Sequence, residues 1–221
     1  MPTTRGRASA NFRDQYYGLV GAVADDGPGP PLVTSGLIDP GRCRWGERPV
    51  RFAGSALIRP RVDLAALSPP LRRWADDLLV AKVLVANQTA TIEAVADRAG
   101  AWIPSVPVLT LRPRPGTDVD EIAAVLTSAV ASCWAWHRAA GTGLSATSLR
   151  LGPRWLAELP WPVGPLDGAV AALGAGDVDA CAALVGRAYG ADDGLTRWWA
   201  CPRPGPGCVG SRGPGCQTPT S

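Results

Sequence analysis

The sequence predicts an α+β fold, with mostly antiparallel strands in the middle, a long helix after them, C-terminal helices and a disordered tail. Three observations carry this. Residues 82–111, KVLVANQTATIEAVADRAGAWIPSVPVLTL, alternate short apolar runs with polar breaks, which is a strand pattern. Residues 118–140 repeat apolar side chains at helical spacing. From Cys201 onward the chain is Pro, Gly, Cys, Ser and Arg with almost nothing to bury, so it does not offset the entropy of ordering. The organisation expected is a loose N-terminus (1–10), one domain (11–200) and a disordered tail (201–221).

The elements follow in order. NFRDQYYGLVGAV sets Phe12, Tyr16, Leu19, Val20 and Val23 on one helical face, and ADDGPGPP breaks it. LVTSGLID (32–39) reads as one short strand, stopped by Pro40-Gly41. CRWGERPVRFAG alternates loosely, with Trp45, Val50 and Phe52 inward and Arg44, Arg48 and Arg51 outward. DLAALSPPLRRWADDLL reads as two helical pieces divided at Pro69-Pro70. The stretch from Lys82 gives three strands with a tight turn at Asp97-Arg98-Ala99-Gly100. Thr117 is the expected N-cap of the long helix, with Asp120 and Glu121 in its first turn, where carboxylates suit the dipole. GTGLSATSLRLG reads as a turn and then a strand, PRWLAELPWP as a short helix, and 167–173, 177–189 and 192–200 as closing helices.

Charge is uneven. The chain has one lysine, Lys82, against 21 arginines, and a net charge of +3. Residues 42–61 hold six arginines and one acid, Glu47. Clustered arginine fits a phosphate-rich partner, and it equally fits a solvated loop in an arginine-rich chain. The six cysteines include no C-x-x-C pair, and the single histidine, His137, has no cysteine partner near it in sequence, which argues against zinc. No N-terminal apolar segment or membrane-length apolar run is visible, so a cytoplasmic protein with reduced thiols is expected.

Three stretches in order resemble a known family: LVTSGLIDPGRCRWGERPVRFAG (32–54), KVLVANQTATIEAVADRAGAWIPSVPV (82–108) and EIAAVLTSAVASCWAWHRAAGTGLSATSLRLGPRWLAELPWP (121–162). Together they resemble the C-terminal target-recognition region of adenine-specific DNA methyltransferases of restriction-modification systems. In that family a lysine opens a strand, an acidic turn follows, then a helix of the AAVLxS kind, then Leu-Pro-x-Pro. Here these are Lys82, the turn at 97–100, Ala123 to Ser128, and Leu159-Pro160-Trp161-Pro162. The likeness covers roughly residues 11–200 and implies a DNA-binding module with duplex DNA as partner. The family's catalytic half has no counterpart. Adenine methyl transfer needs a Gly-rich cofactor loop and a polar-Pro-Pro-aromatic motif whose ring stacks on the flipped base. Ser68-Pro69-Pro70 is followed by Leu71, and the prolines of Gly27-Pro28-Gly29 deny N–H donors to a phosphate. The resemblance therefore implies a fragment or split subunit with no catalytic or cofactor residues of its own. S-adenosylmethionine is expected only on a separate methyltransferase subunit.

The DNA-contacting set this implies is Arg42, Arg44, Trp45, Arg48, Arg51, Lys82, Asn87, Gln88, Thr142 and Ser145. Each has a plainer reading. Lys82 is a phosphate contact or an edge-strand lysine that blocks pairing. The arginines line a DNA groove or solvate a loop. Trp45 stacks or is core. Thr142 and Ser145 in GTGLSAT donate to a phosphate, or the segment is a helix C-cap and turn. His137, close to Trp134 and Trp136, lacks a nucleophile motif and reads as the end of a core helix rather than a catalytic group. The plainest overall alternative is a protein-interaction domain, or a degenerate remnant, without DNA affinity.

Overall fold

The computed structural model describes residues 6–10, 13–87, 89–139, 150–192 and 194–195. The chain opens with β1 (Gly6–Ala10), α1 (Arg13–Leu19) and β2 (Val23–Asp25). Short pieces follow: β3 (Leu32–Val33), β4 (Ile38–Asp39), β5 (Arg42–Cys43), β6 (Val50–Phe52), β7 (Ser55–Leu57) and β8 (Pro60–Val62), then α2 (Pro69–Leu78). The middle supplies β9 (Lys82–Val85), β10 (Ala94–Asp97), β11 (Ile103–Pro104) and β12 (Leu109–Pro113). The rest is helical: α3 (Val119–Leu126), α4 (Ala129–Ala139), α5 (Pro153–Glu158), α6 (Asp167–Gly174) and α7 (Val178–Tyr189). The fold is α+β, as the sequence predicts.

One antiparallel sheet, ordered β1-β12-β9-β10, divides the molecule. Strand side chains alternate between faces. Val83, Val85, Ala94, Leu109 and Leu111 point one way and pack with Ile122, Val125, Leu126 and Val185 from the helices. Leu84 and Val95 point the other way and pack with Val33, Leu37, Ile38 and Val50 from the short N-terminal pieces. Both faces are covered, so β9 is buried along its whole length. A further cluster of Leu19, Leu32, Phe52, Val62, Leu78 and Ile103 ties α1 and α2 to the small hairpins.

The structure corrects several expectations. The N-terminus is not loose throughout 1–10, because Gly6–Ala10 pairs with β12 over its full length. LVTSGLID is not one strand: a 3-10 turn at Ser35–Leu37 separates β3 from β4. The helical face predicted over 11–23 is shorter, for Val23 already belongs to β2. The long helix breaks at Thr127-Ser128. Ser128 Oγ accepts from Ala131 N–H at 3.1 Å, so this serine caps a second helix, α4. The first of the two helices is capped by Asp118, which accepts from Asp120 N–H, and not by Thr117. The two helical pieces expected on either side of the proline step are present, a 3-10 turn at Leu64–Ala66 and α2, which Pro69 and Pro70 begin in its first turn, where a missing N–H costs nothing. The expected turn and strand at 141–152, for all but its last residues, and the tail lie outside the described residues; so does most of the helix expected at 192–200.

Candidate nucleic-acid interface

Three of the expected contact arginines meet in one surface network. β4 and β5 form a two-residue hairpin, so Asp39 and Arg42 stand directly opposite one another. The following turn folds back through Glu47 N–H and Arg48 N–H, both donating to the Arg44 carbonyl. This brings Arg44 and Arg48 onto Asp39: Arg44 Nε donates at 2.7 Å, and Arg48 Nη1 and Nη2 both donate at 3.0 Å. Arg48 Nη1 also reaches the Gly36 carbonyl at 2.9 Å. Arg42 Nη2 lies 3.0 and 2.9 Å from the two Glu47 oxygens, and Arg44 Nη1 lies 3.1 Å from one of them. Burial pushes the Asp39 carboxyl up, but the two arginine hydrogen bonds outweigh it and hold its pKa below the ordinary value. Glu47 is also held low, by Arg42 first and Arg44 second. The network has three guanidinium groups on two carboxylates, so two of its three positive charges are matched in space.

Trp45 stands beside the network and is neither wholly core nor free. Its Nε1 donates to the Pro60 carbonyl at 2.9 Å. Two further arginines lie over its ring, Arg59 at 5.3 Å and Arg61 at 4.9 Å from the centroid. Guanidinium over indole is a favourable arrangement. Arg59 also pairs with Asp26 at 3.1 Å, and Arg61 donates to the Gly29 carbonyl at 2.7 Å. Arg51 points outward from the β6–β7 hairpin between buried Val50 and Phe52. Among the described residues it makes no ion pair.

Lys82 departs from both sequence readings. β9 lies between β12 and β10, so Lys82 is not on an edge strand, and its side chain is 0 % exposed. Its cross-strand partner is Asp97, itself 2 % exposed, and Nζ lies 2.5 Å from Asp97 Oδ2. Nζ also donates to the Val80 carbonyl at 3.3 Å. Asp97 holds the acidic turn at the same time: Oδ1 accepts from Ala101 N–H at 2.9 Å and Oδ2 from Trp102 N–H at 3.0 Å. Gly100 closes that turn at φ +65°, and a Cβ there would stand 2.5 Å from the Val80 backbone, so glycine is required. Burial is the largest influence on Lys82 and lowers its pKa, Asp97 opposes the fall, and the charge of Arg112 adds to it. An ammonium in this position does not reach a phosphate at the surface. Lys82 belongs to the structural core of the sheet.

Of the remaining candidates, Asn87 is among the described residues. Asn87 Oδ1 accepts from Leu151 N–H at 2.9 Å, which ties the end of β9 to the segment before α5. Gln88, Thr142 and Ser145 lie outside the described residues. Sequence reasoning missed Asp39, which lies just before the arginine run, and Asp97 as the lysine's partner. Arg59 and Arg61 were inside the counted run, but their convergence on Trp45 comes from the hydrogen bonds of Gly46 N–H to the Ile58 carbonyl and of Trp45 Nε1 to the Pro60 carbonyl, which no sequence pattern announces. Ser68 and the two prolines after it form the start of α2. Among the described residues no three His, Cys, Asp or Glu side chains are grouped to hold a metal, and no helix is long and apolar enough to cross a membrane. No protein-family model matches the chain, and no curated protein matches it.

Proposed function

We propose that the chain is a DNA-binding target-recognition module of an adenine-specific DNA methyltransferase, with methyl transfer and S-adenosylmethionine binding on a separate subunit. The observation that carries the reading is the meeting of Arg42, Arg44 and Arg48 on Asp39 and Glu47, with Arg59 and Arg61 over the ring of the adjoining Trp45. Guanidinium groups of this kind exchange a carboxylate for a phosphate oxygen, since both accept the same forked donors. Contacts of this type bind any duplex, and release of counterions makes the affinity fall steeply with salt. The test is a titration of the purified chain against random duplex DNA at two salt concentrations. Retention at low salt that weakens with added salt supports the reading, and no retention at low salt removes it.

A second reading has its own observation. Asp39, Glu47 and Asp26 already satisfy Arg42, Arg44, Arg48 and Arg59. A surface so matched favours a protein-interaction domain without DNA affinity, and the same titration separates the two.

A further inference from the structure

At one end of the sheet, each of the four strands contributes a charged residue to a single cross-strand row. Arg7 stands opposite Arg112 in the β1–β12 pair. Leu111 stands opposite Val83, so one step further along the same register Arg112 meets Lys82. Lys82 stands opposite Asp97. All four side chains share the face turned away from the helices, because their neighbours Ala8, Leu111, Val83 and Ala96 pack in the helical core. The row therefore holds three cations and one carboxylate.

That carboxylate is fully committed. Asp97 accepts from Lys82, Ala101 N–H and Trp102 N–H. Among the described residues Arg7 and Arg112 make no ion pair, and Arg112 donates only to the Asp77 carbonyl at the end of α2. The side chain of Asp77 is another acid near this end, and among the described residues it makes no ion pair either. Elsewhere Arg42, Arg44, Arg48, Arg59, Arg72 and Arg98 each meet a carboxylate. Like charges directly opposite one another weaken a strand pair. Other arginines, such as Arg51 and Arg61, also make no ion pair among the described residues; what sets Arg7 and Arg112 apart is that the strand register places two such cations directly opposite one another. The row is also graded: Arg7 is exposed, Arg112 half-buried and Lys82 buried, so it opens to solvent at the β1 edge.

We propose that the open end of this row, Arg7 with Arg112, takes a phosphate of the DNA backbone. An anion between the two guanidinium groups removes their repulsion, and their forked donors suit phosphate oxygens. The proposal rests on the DNA-binding reading above. It moves the phosphate contact one and two strands outward from Lys82, to the side chains that solvent reaches.

The test is duplex binding over a salt series for the wild type, Arg7→Gln, Arg112→Lys and the Arg7→Gln/Arg112→Gln double variant, with circular dichroism to confirm folding. Each phosphate contact contributes roughly 0.9 to the slope of log K against log salt. Arg7→Gln is expected to flatten the slope by about that amount, the double variant by about twice it, and Arg112→Lys to keep it. If the double variant is poorly folded, Arg7→Gln decides alone, since Arg7 is exposed. A wild type that binds, with a slope unchanged in Arg7→Gln, overturns this site and leaves the DNA reading standing. A wild type that does not bind duplex at low salt overturns both.

Discussion

Two sets of ion pairs in this molecule use the same chemistry in opposite surroundings. Lys82 and Asp97 meet inside the sheet, out of reach of water. Arg42, Arg44 and Arg48 meet Asp39 and Glu47 at the surface, with Arg42 still 57 % exposed. In the interior, breaking a pair strands a charge that water no longer solvates. At the surface, water and salt replace a lost partner at little cost. The difference separates a charge that organises the fold from charges free to exchange partners, and the sequence alone presents both as basic residues near strands.

The comparison is broken most severely by Asp97→Ala. That change removes the carboxylate that pairs with Lys82 and the acceptor for two turn N–H groups, and about 3–5 kcal/mol of stability should go with it, read from urea unfolding. Lys82→Met should cost less, because Asp97 keeps its hydrogen bonds from Ala101 and Trp102 and the methionine fills most of the lysine's volume. An unfolding midpoint equal to wild type would show the buried pair to be dispensable.

Asp39→Asn acts on the surface set and should cost about 1 kcal/mol or less, the range of partly exposed pairs after screening. Its pH dependence has a definite sign. The folded pKa lies below the ordinary 3.8, so the contribution is present above pH 3.8 and is lost as pH falls through the folded value. In the Asp39→Asn variant this part of the acid loss should disappear. The same variant should bind duplex DNA more tightly at low salt, because Arg44 and Arg48 lose a competing carboxylate. Weaker binding would mean that Asp39 orients them for the contact. Glu47→Gln should produce the smallest change, with no resolvable shift in Tm and a slight gain in duplex affinity.

Much of the fold was legible because its signals are local. Apolar runs marked β9 and β10, the Pro69-Pro70 step marked the start of α2, and residues 177–189 matched α7, which Asp177 caps; the third strand, expected around Trp102, is instead two, β11 and β12. The break at Ser128 was not legible, since serine inside an apolar helical pattern reads as tolerated until its hydroxyl is seen to cap the next helix. The candidate site was legible only in part. Counting charge along residues 42–61 left out Asp39, which a two-residue hairpin returns to Arg44 and Arg48. Lys82 was misplaced for a related reason: its partner is 15 residues away in sequence and directly opposite in the sheet, and no periodicity distinguishes a paired buried lysine from an exposed one.

The central claim, that the single lysine holds the sheet and does not contact a ligand, is tested most directly by a double-mutant cycle in urea on Lys82→Met, Asp97→Asn and the two combined. The pair is predicted to be strongly coupled, with the double variant losing clearly less than the sum of the single losses, because neither charge is then left buried alone. Additive losses close to zero, accompanied by a flatter salt dependence of duplex binding in Lys82→Met, would contradict it and return the lysine to the surface.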